Sequence, residues 1–79
     1  MTPPNLTREK IILILNEYGY FSYGEIEDGY EAFINKDNII FLSNCCIENE
    51  YYPIGYDFRF NGCENGVRAY IEGIDNFKR

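Results

Sequence analysis

The amino-acid sequence predicts an α+β fold in which one N-terminal helix packs on a four- to five-stranded antiparallel meander sheet. Three observations carry that expectation. The run from Tyr30 through Ser43 holds two strand-like stretches, Tyr30-Glu31-Ala32-Phe33-Ile34 and Asn38-Ile39-Ile40-Phe41-Leu42, on either side of the polar pair Lys36-Asp37. A well-capped apolar run precedes it, between Thr7 and Gly19. Strict alternation returns later, at Ile54, Tyr56, Phe58 and Phe60 and again at Val67, Ala69 and Ile71.

With 79 residues the chain is sized for one domain, 1–79, and a domain this small buries only roughly 60% of the surface its unfolded chain exposes. Hydrophobic residues make up 46% and aromatic residues 18%, enough to drive collapse against a net charge of -6.

Residues 1–5 read as a tail, because Pro3-Pro4 favours an extended backbone. The helical segment is 6–18. Leu6 before the cap, Thr7 as N-cap and Ile11 four residues into the helix form a hydrophobic staple, although Lys10 stands where a full capping box needs Glu or Gln. At 100° per residue Ile11, Ile12, Ile14, Leu15 and Tyr18 gather on one arc, with Leu13 alone among polar neighbours. The β-branched run makes a strand the competing assignment; the caps favour helix, and Gly19 supplies the stop.

Residues 20–74 then read as antiparallel strands. The first, 20–26, is weakened by Gly24 and leads through Glu27-Asp28-Gly29 into the hairpin. Folding the hairpin back places Tyr30, Ala32 and Ile34 with Ile39 and Phe41 on one face, and Phe33 with Ile40 and Leu42 on the other. Both faces are apolar, whereas a small antiparallel sheet usually wets one side. Residues 44–50 are ambiguous, 54–61 form a further strand, and Gly62-Cys63-Glu64-Asn65-Gly66 reads as a turn. Val67, Ala69 and Ile71 return antiparallel with Arg68, Tyr70 and Glu72 outward, and 75–79 is a tail.

The charge bounds the function. Arg8 and Lys10 lie near the start and Lys78 and Arg79 at the end, leaving Lys36, Arg59 and Arg68 against the acids between them. Such a field repels phosphate backbones and anionic membranes, which argues against direct nucleic-acid or membrane binding, and attracts a basic protein surface. The acids cluster: Glu25, Glu27, Asp28 and Glu31 fall within seven residues, reinforced by Asp37, Glu48, Glu50, Asp57 and Glu64. Their spacing lacks the order of a calcium loop. Eight tyrosines exceed what so small an interior can bury with their hydroxyls satisfied, so several face solvent, where tyrosine gives large contact area at low entropic cost. Glu25, Glu27, Asp28, Tyr30, Glu31, Asp37, Glu48, Glu50, Tyr51, Tyr52 and Asp57 are the candidate partner-binding residues.

Catalytic, metal and cofactor sites are not expected. Without histidine there is no Ser-His-Asp or Cys-His arrangement, and no phosphate-cradling glycine motif precedes a helix. Cys45 and Cys46 are adjacent, which spoils zinc-chelate spacing and keeps them from bridging one another; a bridge from either to Cys63 stays open. No signal segment or membrane-spanning run is visible, so a reduced cytoplasmic protein is the expectation.

The expected function is that of a small acidic non-enzymatic inhibitor occupying a basic surface of a protein partner, including one in a nucleic-acid-handling complex. Acidic anti-CRISPR and anti-restriction proteins of phages and acidic immunity proteins act in this manner, a likeness of size and charge alone. The alternative is a structural or assembly protein that homodimerises or docks through an apolar sheet face, with Phe33, Ile40 and Leu42 as its candidates, because one helix cannot cover both faces.

Overall fold

Two helices lie against one face of a five-stranded antiparallel sheet in a computed structural model, which describes residues 6–27, 29–36, 38–49, 52–59 and 62–77. The elements in chain order are α1 (Arg8–Glu17), β1 (Phe21–Glu27), β2 (Tyr30–Asn35), β3 (Asn38–Leu42), β4 (Cys46–Asn49), β5 (Tyr52–Asp57) and α2 (Glu64–Phe77). The sheet order is β1-β2-β3-β4-β5, a meander with every neighbouring pair antiparallel.

The start of α1 follows from its sequence. Thr7 adopts an extended cap conformation, and its hydroxyl accepts from the Lys10 backbone N–H at 3.2 Å. Leu6 packs against the core cluster to which Ile11 belongs, consistent with the staple. At the other end Gly19 sits at φ +87°, its N–H donating to Asn16 O at 3.0 Å while the Tyr20 N–H donates to Leu15 O at 2.9 Å. That pair of bonds is a Schellman motif, closed by a residue for which a left-handed backbone carries no steric cost. The Asn35 amide then donates to Tyr18 O at 2.9 Å, tying the helix end to the hairpin.

The central hairpin has the expected register: Asn35 opposes Asn38, Ile34 opposes Ile39, Phe33 opposes Ile40, Ala32 opposes Phe41 and Glu31 opposes Leu42. Its connection begins at Lys36, at φ 56°. Phe33, Ile40 and Leu42 are fully buried, as is Ile47 opposite Leu42 on β4. They meet Ile11, Ile14 and Leu15 of α1 and Val67, Ile71 and Ile74 of α2 in one core that also includes Tyr20, Phe58 and Tyr70. The Phe33, Ile40 and Leu42 face is therefore the floor of the core and not the free face expected for dimerisation. Leu13 is the exposed leucine of α1.

The C-terminal segment departs from expectation. Residues 64–77 are a helix, where the alternation of Val67, Ala69 and Ile71 predicted a strand and 75–79 a tail. Val67, Tyr70, Ile71 and Ile74 are the buried residues, a spacing of three, four and seven, while Ala69 is exposed. Tyr70, expected outward, belongs to that inner stripe. The Glu64 carboxylate accepts from the Arg68 guanidinium at 2.8 Å, a pair one helical turn apart. Gly66, expected in a turn, lies in the first turn of α2, where a Cβ would come within 2.1 Å of the Tyr56 hydroxyl oxygen. The glycine admits the Tyr56 ring against the helix. Likewise β5 is Tyr52–Asp57, with Phe58 turning into the core; the predicted strand residues Phe60 and Asn61 lie outside the described residues.

A polar contact crosses the base of the core. The fully buried Tyr20 donates its hydroxyl to Asp75 Oδ1 of α2 at 3.1 Å, and the Asn38 amide donates to the same oxygen at 3.4 Å. Burial foremost, and the Asp75 charge next, push the Tyr20 phenol up to about 12.

Two outcomes test this arrangement. Ala69→Pro changes an exposed residue inside α2 and is expected to cost about 3 kcal/mol or more by removing a helical hydrogen bond. A urea midpoint equal to that of the wild type would contradict the helix. The neutral Tyr20 phenol is favoured in the folded state, so its contribution is complete below its ordinary value of 10.0 and is lost as the pH rises from there to about 12. Tyr20→Phe is expected to flatten that alkaline loss, read from thermal midpoints across the same range.

Candidate protein-binding face

Among the described residues, no helix lies on the second face of the sheet. Side chains alternate along each strand, so Phe21 of β1, Ala32 and Ile34 of β2, and Ile39 and Phe41 of β3 all point away from the helices. Phe21 is 60% exposed, Tyr23 76% and Ile26 48%, large for apolar residues on one strand. β1 is exposed along nearly its whole length, and its pairing with β2 is interrupted between Ser22 and Gly24 and again between Glu25 and Glu27.

At one end of this face Ile26, Glu27, Tyr30, Phe41 and Glu48 line an open concavity of about 570 Å³. Two cross-strand pairs build it: Glu27 opposite Tyr30 on β1 and β2, and Phe41 opposite Glu48 on β3 and β4. The Cys46 thiol donates to Glu48 Oε2 at 3.7 Å. The Glu48 carboxylate, ahead of the neighbouring thiols, raises the Tyr30 phenol above its ordinary value, which sets the two side chains within electrostatic reach. Asp57, opposite Cys46, extends the acidic margin onto β5, and its carboxylate accepts from the Arg59 backbone N–H at 3.0 Å.

Of the eleven candidate residues, the structure thus gathers Glu27, Tyr30, Glu48 and Asp57 on one face. Glu31 is on the other. It accepts from Arg8 at 2.8 Å and from the Ser22 hydroxyl, and that hydroxyl foremost, with the Arg8 guanidinium next, holds its carboxyl below the usual carboxylate range. This stabilisation is present at neutral pH and is lost as the pH falls through the lowered value. Glu25 opposes Glu31 on the helix side and accepts from the Gly29 N–H at 3.3 Å. Asp28, Asp37, Glu50 and Tyr51 lie outside the described residues, as does the side chain of Tyr52.

The helix side carries the ion pairs of the described residues. Arg68 bridges Glu17 at 2.7 Å and Glu64 at 2.8 Å, Lys10 lies 3.7 Å from Glu64, and Arg8 holds Glu31. Such exposed pairs, screened by solvent, add little to stability. Their larger effect is to confine Arg8, Lys10 and Arg68 to that side. Ile26 and Phe41 belong to the concavity without having been expected there; the signal for Phe41 was its place opposite in phase to Ile40 and Leu42, which said where it points and not what it joins.

Cys45, Cys46 and Cys63 are free thiols, so no bridge to Cys63 is formed. The Ser43 hydroxyl lies 3.8 Å from Cys45 Sγ and 3.5 Å from Cys46 Sγ. Among the described residues no three His, Cys, Asp or Glu side chains converge as a metal-ion set, and no helix is long and apolar enough to cross a membrane.

Fold and face together define an α+β protein with two helices on one side of an antiparallel meander and an apolar, acid-rimmed sheet surface on the other. Comparison of the chain with protein-family models, curated proteins and solved structures finds no match.

The thiols offer a direct check of this geometry. Cys63 is exposed, whereas Cys45 and Cys46 are half-buried, and burial foremost pushes the Cys46 thiol up. Iodoacetamide is therefore expected to modify Cys63 first and Cys46 last in the folded protein, with the difference lost in urea. Peptide mass mapping that found Cys46 modified first would contradict the placement of β4.

Proposed function

We propose that this chain is a non-enzymatic cytoplasmic binding protein that inhibits a protein partner by occupying a basic surface, one that otherwise receives nucleic acid being the leading target. The outer face of the sheet is the contact surface. One observation carries the reading: on the helix side Arg8, Lys10 and Arg68 are taken up by Glu17, Glu31 and Glu64, while Glu27 and Glu48 on the outer face stand beside aromatic and apolar groups with no cation in ion-pair range among the described residues.

The two components act at different stages of binding. Carboxylates steer the encounter with a basic surface, raising association rates by about 10–10³-fold at low salt. Phe21, Ile26, Tyr30 and Phe41 then lose water against the partner and slow dissociation. Surfaces of this kind, apolar at the centre and polar at the rim, are how protein interfaces are composed.

The second reading is self-association through the same face. It is favoured by the row Phe21, Ile34 and Ile39, which lies at the far end from the acids and is apolar from strand to strand.

Capture from nuclease-treated lysate separates the two. The wild type is expected to retain a basic protein that elutes as salt rises, since screening shortens charge interactions to about 8 Å at physiological strength. A variant with Glu27→Lys and Glu48→Lys is expected to lose that protein while keeping its circular dichroism spectrum. Capture unaffected by either salt or charge reversal, together with a mass in sedimentation that doubles with concentration, would replace inhibition by self-assembly.

A further inference from the structure

We infer that the concavity between Glu27 and Glu48 seats one arginine side chain projecting from the partner. The inference rests on the reading of the outer face as a contact surface for a basic protein and names the group that this face selects.

The lining alternates in kind. Glu27 is beside Tyr30 across one strand pair and Glu48 beside Phe41 across another, with Ile26 completing the wall. Among the described residues a ligand here therefore meets two carboxylates on different strands, two aromatic rings and an aliphatic surface. The carboxylates exclude an anion. A purely apolar group would desolvate both of them without return, a cost of several kcal/mol if they were fully buried. A hard divalent cation needs about six oxygen ligands, and no three acidic side chains converge among the described residues. An organic cation satisfies every wall: its charge lies between the acids, its face or edge against the rings, its methylene stem along Ile26.

Arginine fits this lining better than lysine. The guanidinium is planar, weakly hydrated and able to stack on a ring while donating to carboxylates, whereas an ammonium is a strongly hydrated point charge that an open site cannot strip of water. The volume of about 570 Å³ is ample for one such side chain. The protein's own Arg8 and Arg68 are held by carboxylates on the helix side, away from the concavity.

The test is a titration of the isotopically labelled protein, followed by NMR, with three short peptides: acetyl-Gly-Arg-Gly-amide and its lysine and citrulline counterparts. The arginine peptide is expected to shift Ile26, Tyr30, Phe41 and Glu48 and to bind about tenfold more tightly than the isosteric, uncharged citrulline peptide. Glu27→Gln with Glu48→Gln should weaken it about tenfold, and Phe41→Leu, which keeps an apolar side chain but removes the ring, should weaken it by several-fold. Each variant's unperturbed spectrum on the helix side shows that it is folded. Equal binding of citrulline and arginine, tighter binding of lysine, or shifts centred elsewhere would overturn the inference. A peptide of five consecutive arginines separates the two levels. If it binds the outer face while the single-arginine peptide leaves the concavity unshifted, the arginine seat falls and the basic-partner reading stands; if neither binds, both fall.

Discussion

The structure depends on both helices burying their apolar stripes against the same side of the sheet. Phe33, Ile40, Leu42 and Ile47 present one continuous surface, and neither α1 nor α2 alone supplies enough apolar side chain to cover it. With Ile11, Ile14 and Leu15 from one helix and Val67, Ile71 and Ile74 from the other, the core closes. The consequence is one-sided: the sheet becomes the outer wall of a two-layer protein, and whatever its remaining strand positions carry is displayed. Here they carry Phe21, Ile34, Ile39 and Phe41 where an ordinary two-layer protein would carry polar groups.

The same packing divides the charge. Arg68 lies on α2 within reach of Glu17 on α1, and its guanidinium also stands 5.9 Å from the Tyr18 ring, so the helix seam draws a cation to itself. Tyr18 in turn donates its hydroxyl to Glu72 at 2.6 Å. Each of these contacts uses charge or polarity to join α1 to α2 and leaves it unable to act at the sheet surface. The cations of α1 and α2 are thereby engaged at the helix side, while Glu27 and Glu48 of the net charge of -6 stand on the opposite face.

The sequence was most legible where short-range rules decide the outcome. Thr7, Gly19 and the hairpin register are dictated within a few residues, by a cap, a left-handed stop and a period of two. The last element was not, because Val67, Ala69 and Ile71 fit a strand as well as Val67, Tyr70, Ile71 and Ile74 fit a helix, and tyrosine's mixed character let Tyr70 be counted as polar. Gly66 strengthened the wrong choice, since its reason for being glycine is a ring from β5, a contact between parts of the chain that no local pattern records. The candidate site was half legible for a related reason. Proximity in sequence grouped Glu27 with Glu31, whereas the alternation of strand side chains and the irregular pairing of β1 send them to opposite faces.

β1 is an edge strand of the sheet, exposed along nearly its whole length and twice irregular in its pairing with β2. A straight, apolar edge would invite other chains to extend the sheet by backbone hydrogen bonding, the route by which strands polymerise. The interruptions at Ser22–Gly24 and Glu25–Glu27 break the regular spacing of donors and acceptors that such a template needs, and the glutamates add repulsion between like copies. At this edge the chain can thus hold Phe21, Tyr23 and Ile26 in open water without offering a backbone template for fibres: the stickiness of β1 is confined to side chains, which discriminate among partners, and is withheld from its backbone, which does not.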